Sequence, residues 1–158
     1  MLENDRAEER ISMTPEQKKH FDFVLLYMRQ LNVRPKTFDV IEAAYRSGYE
    51  AKSDGITGPG QFEFGKLGMK NPLGVAHDWL YFMGSKQPFL PQAVKWRTSE
   101  TRARLWADGW FRGAMFDFGY WMFAGLYWVA LRLFAFRAWR AHRNRHHPVP
   151  IDTLPDVR

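Results

Sequence analysis

Between Asn71 and Gly84 the chain carries both a helix start and a helix stop, and no other stretch constrains its fold as tightly. Asn71 can accept a hydrogen bond from a free N–H of the first turn, and Pro72 suits the first helical position because no N–H is needed there. Gly84 can leave the helix in a conformation closed to other residues. The segment PLGVAHDWLYFM is therefore read as a helix over 72–83. His77 and Tyr81, four apart, share a face, and Asp78 points roughly a quarter-turn away. Ahead of this helix, residues 49–71 hold five of the chain's 12 glycines and show no strong period. This reads as a long loop, with a short extended piece at Gln61–Phe64. A loop of that length is either functional or poorly ordered.

The flanking segments are helical too. Thr14 is a candidate N-cap with Pro15 behind it, and Phe21, Val24, Leu25, Met28 and Leu31 recur at helical spacing, giving a helix over 15–31. Asn32 to Pro35 breaks it. Thr37 is the expected cap of a second helix through Phe38, Ile41, Ala44 and Tyr45, ending near Gly48. His20, among Lys18, Lys19 and Asp22, reads as a surface histidine. Residues 84–98, with Pro88 and Pro91, form a connector. Ser99 is the expected cap of a helix bearing Leu105, Trp106, Trp110 and Met115. The pattern continues to about His142, and two consecutive helices broken near Gly119–Gly125 are preferred to one kinked helix. The fold class is all-α, with a flexible N-terminus (1–13), one helical domain (14–146) and an extended tail (147–158). Within the domain, 14–50 is a helical pair, 51–71 the glycine-rich loop and 72–146 the core helices.

Composition narrows the chemistry. The 158 residues are enough for one domain, and a hydrophobic share of 46% with 16% aromatics supports a real core. With no cysteine, neither disulfides nor thiolate metal sites are possible, so a metal would need oxygen or histidine ligands. MLENDRAEER contains no apolar run, so no signal peptide is expected there. The net charge of +6 is uneven: 95–145 carries ten Lys/Arg against Glu100, Asp108 and Asp117. Such a region suits an anionic partner, or is simply a solvated face. Residues 118–131 are uncharged, but 14 residues fall short of the roughly 20 needed for a membrane span. A buried core helix is the preferred reading, with a helix lying in a membrane interface second. RLFAFRAWRAHRNR mixes aromatic and basic residues as interfacial helices do, which marks Arg132, Arg137, Trp139 and Arg140 as membrane or anion contacts. Nucleic acid is ranked lower, because no recognised motif accompanies this composition.

A histidine can act as a base toward water if an acceptor orients its far nitrogen and positive charge waits where the oxyanion develops. Calcium meets the last need with hard oxygen ligands, and a glycine loop can turn its carbonyls inward. Gly55–Phe82 thus contains the parts of a metal-assisted hydrolytic site, and also those of an ordinary turn and helix. Asp108 has its own alternative, since Arg104 and Arg112 lie four residues to either side and would suit intrahelical ion pairs. Asp117 is a second candidate for the orienting carboxylate.

Three motifs together carry a resemblance. Ile56-Thr57-Gly58-Pro59-Gly60, then His77-Asp78-x-x-Tyr81, then Ala107-Asp108-x-x-Phe111 resemble the phospholipase A2 superfamily, most closely the cysteine-free domains of small DNA virus capsid proteins. HDWLY, the AD-x-x-F helix and the ending from Tyr127-Trp128 through Arg132-Leu133-Phe134 to Ala138-Trp139 also resemble a small family of phage and prophage proteins. The resemblance spans roughly 55–82 and 104–139. It implies His77 as the water-activating base, Asp108 as its orienting carboxylate and Tyr81 as a hydrogen-bond donor to Asp108. It implies a Ca2+ ion on Asp78 and the carbonyls of Ile56, Gly58 and Gly60. The implied reaction is hydrolysis of a glycerophospholipid at sn-2, at a membrane surface, in a phage particle or the bacterial cytoplasm. The alternatives are a phage structural protein that keeps the scaffold without activity, and a membrane-surface binder. Two departures stand out: Ile56 replaces the family's aromatic residue, and no disulfide can lock the two helices.

Overall fold

The computed structural model describes residues 13–51, 53, 61–91 and 100–145, and for 51, 61–63, 135–136 and 138–145 the backbone alone. Among these residues there are six α-helices and two single 3-10 turns, and no strand. The helices are α1 (Pro15–Gln30), α2 (Pro35–Arg46), α3 (Gln61–Lys66), α4 (Pro72–Met83), α5 (Glu100–Asp117) and α6 (Trp121–Arg145). The fold is all-α.

Thr14 begins α1 with a reciprocal capping box: its hydroxyl accepts from Gln17 N at 3.2 Å, and Gln17 Oε1 accepts from Thr14 N at 2.9 Å. The helix buries Phe21, Val24 and Met28. It ends at Asn32, whose φ of 53° lets Val33 N return to Met28 O at 3.2 Å. The next helix starts earlier than Thr37. Arg34 is its extended cap residue and Pro35 its first helical residue, because a proline is pre-shaped for that position. Thr37 therefore lies inside α2, buried, and its hydroxyl donates to Asp117 instead of capping.

Gln61–Phe64 is helical, not extended. Burial decided this. Phe64 packs edge-on against Tyr27, with centroids 5.5 Å apart, and Gly68 at φ 69° turns Met69 N back to Phe64 O. Phe64 and Met69 thereby enter the core together.

Helix α4 is the axis of the molecule. Every residue from Pro72 to Met83 is buried, as in a helix enclosed on all sides. It packs against α2, α5 and α6, while α1 lies outside against α2. Ala103, Ala107 and Ala114 line the buried side of α5 together with Phe111 and Met115, and small residues there allow close approach. The far end of α5 is fixed by α2: Arg34 Nε donates to Asp117 Oδ1 at 2.7 Å and Arg34 Nη2 to Gly113 O at 2.9 Å.

The break between α5 and α6 falls at Gly119, whose φ of 83° lets Tyr120 N reach Met115 O at 2.8 Å. Gly125 sits within α6. The expectation of a buried core helix over 118–131 is overturned: only Phe118 and Ala124 are buried there, whereas Trp121, Met122 and Leu126 are largely exposed. Helix α6 lies on α5 through Trp128 and Arg132. The guanidinium groups of Arg112 and Arg132 lie 5.3 and 5.0 Å from the Trp128 ring centroid, and Arg132 Nη2 donates to Leu105 O at 3.3 Å. Among the described residues no helix is long and apolar enough to cross a membrane.

Candidate active site

Two helices meet at one carboxylate. Asp108, fully buried on α5, places Oδ1 3.2 Å from His77 Nε2 on α4, and the same oxygen accepts the Tyr81 hydroxyl at 2.5 Å. The sequence dictates half of this. His77 and Tyr81 are one helical turn apart, so one acceptor opposite α4 can serve both. Packing supplies the rest by bringing Asp108 across from 31 positions away. The His77 ring is wedged between Tyr81 and Phe111, with centroids at 4.2 and 4.8 Å. Phe111 belongs to the Ala107-Asp108-x-x-Phe111 motif, and its contact with His77 follows from α5 lying along α4.

The charges are consistent with an oriented imidazole. Burial alone would raise the Asp108 pKa. Hydrogen bonds from His77 and Tyr81, with the positive charges of His77 and Arg104, outweigh that and hold it below the usual carboxylate range. Asp108 is therefore ionised and acceptor-only at neutral pH, and His77 Nε2 donates to it. A neutral His77 then carries its lone pair on Nδ1, which has no hydrogen-bond partner among the described residues. Burial, with the neighbouring Asp108 charge and hydrogen bond, pushes the Tyr81 phenol far above its ordinary value, so it stays a donor. Asp108 Oδ2 has no hydrogen-bond partner among the described residues.

The other proposed residues divide clearly. Arg112 lies over Trp128, so the simple ion pairs imagined for Asp108 are not what holds it, although the Arg104 charge acts on it. Asp117 is engaged by Arg34 and Thr37 and is not the orienting carboxylate. Asp78 points away from His77 and accepts from the Ser53 hydroxyl at 2.7 Å. Ser53 escaped the sequence reading, since nothing periodic links positions 25 apart. Lys70 Nζ in turn donates to the carbonyls of Ser53 and Glu50 at 2.6 and 2.5 Å, tying the chain before residue 54 to the start of α4. Ile56, Gly58 and Gly60 lie outside the described residues. So do the side chains of Trp139 and Arg140, while Arg137 is exposed and Arg132 is half-buried against Trp128. His20 is not a free surface histidine: its Nδ1 meets Glu50 Oε1 at 2.8 Å beside a cleft of about 300 Å³ lined by Thr14, Gln17 and Lys70.

Comparison with protein-family models, curated proteins and solved structures found no match. Of the four residues proposed to hold calcium, Asp78 alone is among the described residues, and its Oδ2 accepts from Ser53. Asp78 offers a hard carboxylate in a chain without thiolates, and no three His, Asp or Glu side chains gather among the described residues. A divalent cation on Asp78 would thus need backbone oxygens to complete its shell.

Proposed function

We propose that this protein is a phospholipase A2-like hydrolase in which His77 activates water against the sn-2 ester of a glycerophospholipid. One observation carries the reading: Asp108 Oδ1 lies within hydrogen-bonding reach of His77 Nε2, leaving Nδ1 as the acceptor. A water held at Nδ1 gives up a proton to the ring as its oxygen adds to the ester carbonyl. His77 then returns that proton to the departing lysophospholipid alkoxide, and the products are a fatty acid and a lysophospholipid. Asp108 keeps the imidazole in the needed tautomer and stabilises the imidazolium, and Tyr81 fixes the carboxylate. Asp78, with carbonyls of Ile56, Gly58 and Gly60, would hold calcium, which when bound supplies positive charge for the developing oxyanion.

The test is hydrolysis of phosphatidylglycerol and phosphatidylcholine in mixed micelles with calcium in excess, read as fatty acid release. Turnover is expected to require calcium and to fall by about 10²–10⁴-fold in His77→Ala with helicity unchanged. Absence of any calcium-dependent release would sink the proposal.

A second reading is favoured by the burial of His77, which is 4% exposed. On it, the His77–Asp108–Tyr81 contacts survive as a structural tie in a phage or prophage virion protein without turnover. It predicts no fatty acid release, and assembly into particles that tolerates His77→Ala.

A further inference from the structure

Helix α6 wears its most apolar stripe on the outside. Met122, Leu126, Val129 and Leu133 recur at intervals of four, three and four, which places them within an arc of about 60°. Met122, Leu126 and Leu133 are each 68% exposed. Trp121 and Phe134, each about 80° beyond an edge of the stripe, are just as open, at 64% and 71%. A different face carries the contacts with α5, through Trp128 and Arg132, and Ala124 is fully buried. A contiguous apolar surface on this scale marks an interaction site, since leaving it in water is costly.

Charge identifies what covers it. No acidic residue occurs between Asp117 and Asp152, while Arg132, Arg137, Arg140, Arg143 and Arg145 fall in that interval. Position 137, exposed, continues the register of the stripe toward the C-terminus. A second copy of the same helix, running in either direction, would bring no carboxylate from α6 to meet these arginines. Phospholipid headgroups offer phosphate beside hydrocarbon, which matches an apolar segment followed by a basic one. We propose that α6 lies in the plane of an anionic phospholipid surface, its Met122–Leu133 stripe in the acyl boundary and its basic C-terminal segment, beginning at Arg137, at the phosphates. This surface is separate from the His77–Asp108 contact, and the inference does not depend on catalysis.

Full-length protein is co-sedimented with vesicles of phosphatidylglycerol mixed with phosphatidylcholine, and with phosphatidylcholine alone. Binding is expected for the anionic vesicles, weakened by raised salt, and at least tenfold weaker on phosphatidylcholine. Leu126→Glu with Leu133→Glu, at exposed positions that leave the core untouched, should reduce partitioning at least tenfold with circular dichroism unchanged. Quenching by brominated phosphatidylglycerol should fall in Trp121→Phe. His77→Ala should bind vesicles as the unaltered protein does, so loss of turnover and loss of binding are told apart. Equal binding to both vesicle types, binding unchanged in the double variant, or self-association through α6 without vesicle binding would each overturn the assignment.

Discussion

Asp108 and Tyr81 form the shortest contact at the candidate site, 2.5 Å from hydroxyl to carboxylate, on the same oxygen that faces His77 Nε2. A tyrosine that cannot readily ionise thus shares one acceptor with the His77 ring. Removing the hydroxyl frees Asp108 to shift relative to the ring. Tyr81→Phe is expected to cost about 1–2 kcal/mol of stability in denaturant titration. If the site hydrolyses phospholipid, turnover should fall with little change in KM, because the hydroxyl holds the carboxylate and touches no substrate.

Asp108→Asn separates orientation from charge. The amide can offer His77 Nε2 a hydrogen-bond donor, which favours the tautomer with its proton on Nδ1. Turnover should drop by about 10³–10⁴-fold, as when a triad histidine loses its orienting carboxylate. Far-ultraviolet circular dichroism should be preserved. Retained turnover would remove Asp108 from the mechanism.

The pH dependence of stability follows from the same carboxylate. Its folded pKa is depressed below the unfolded value of about 3.9, so its stabilisation is present above about pH 4 and is lost as pH falls through the folded pKa. Urea midpoints should decline below pH 4, and less so in Asp108→Asn. At the alkaline end the signs reverse. Burial, chiefly, raises the phenols of Tyr81 and Tyr45, so their contribution is complete below about pH 10 and disappears as pH rises beyond it. Tyr81→Phe should flatten that alkaline decline.

Asp117 offers a control for the catalytic reading. Its carboxylate meets Arg34 and the buried Thr37 hydroxyl at the start of α2, where a negative charge also complements the helix dipole. Asp117→Ala should lower stability by about 1–3 kcal/mol, because it leaves the Thr37 donor unmatched. Any turnover should remain near that of the unaltered protein. A collapse of turnover in a folded Asp117→Ala protein would restore it as a site residue.

Leu73 tests the central helix. It is completely buried in the first turn of α4. Leu73→Ala should destabilise by about 2–5 kcal/mol in denaturant titration while the His77–Asp108 contact persists, because the lesion is a cavity and not a lost hydrogen bond.

Local signals made much of the fold legible. Thr14 and Gln17 close a capping box within four residues, Asn71, Pro72 and Gly84 bound α4, and the turn at Gly119 ends α5. Each involves groups close along the chain, so the residues needed for the argument are all in view. The start of α2 was misplaced because Thr37 is an eligible cap by type, and only its bond to Asp117, 80 residues on, explains why it caps nothing. Gln61–Phe64 sits in a stretch without a strong period, and the helix there goes with the packing of Phe64 against Tyr27.

What the sequence determined by itself was the helical class, the bounds of α4 and the common face of His77 and Tyr81. Those follow from backbone geometry and from the 3.6-residue period. Tertiary structure decided which carboxylate faces His77, since Asp108 and Asp117 are equivalent in type and only the path of α5 across α4 separates them. It also decided that Asp78 turns to Ser53, and that α6 buries Ala124 and leaves Leu126 and Leu133 in the open. An apolar run records that a segment avoids water, but which side of it meets the core is set by the helix it packs against.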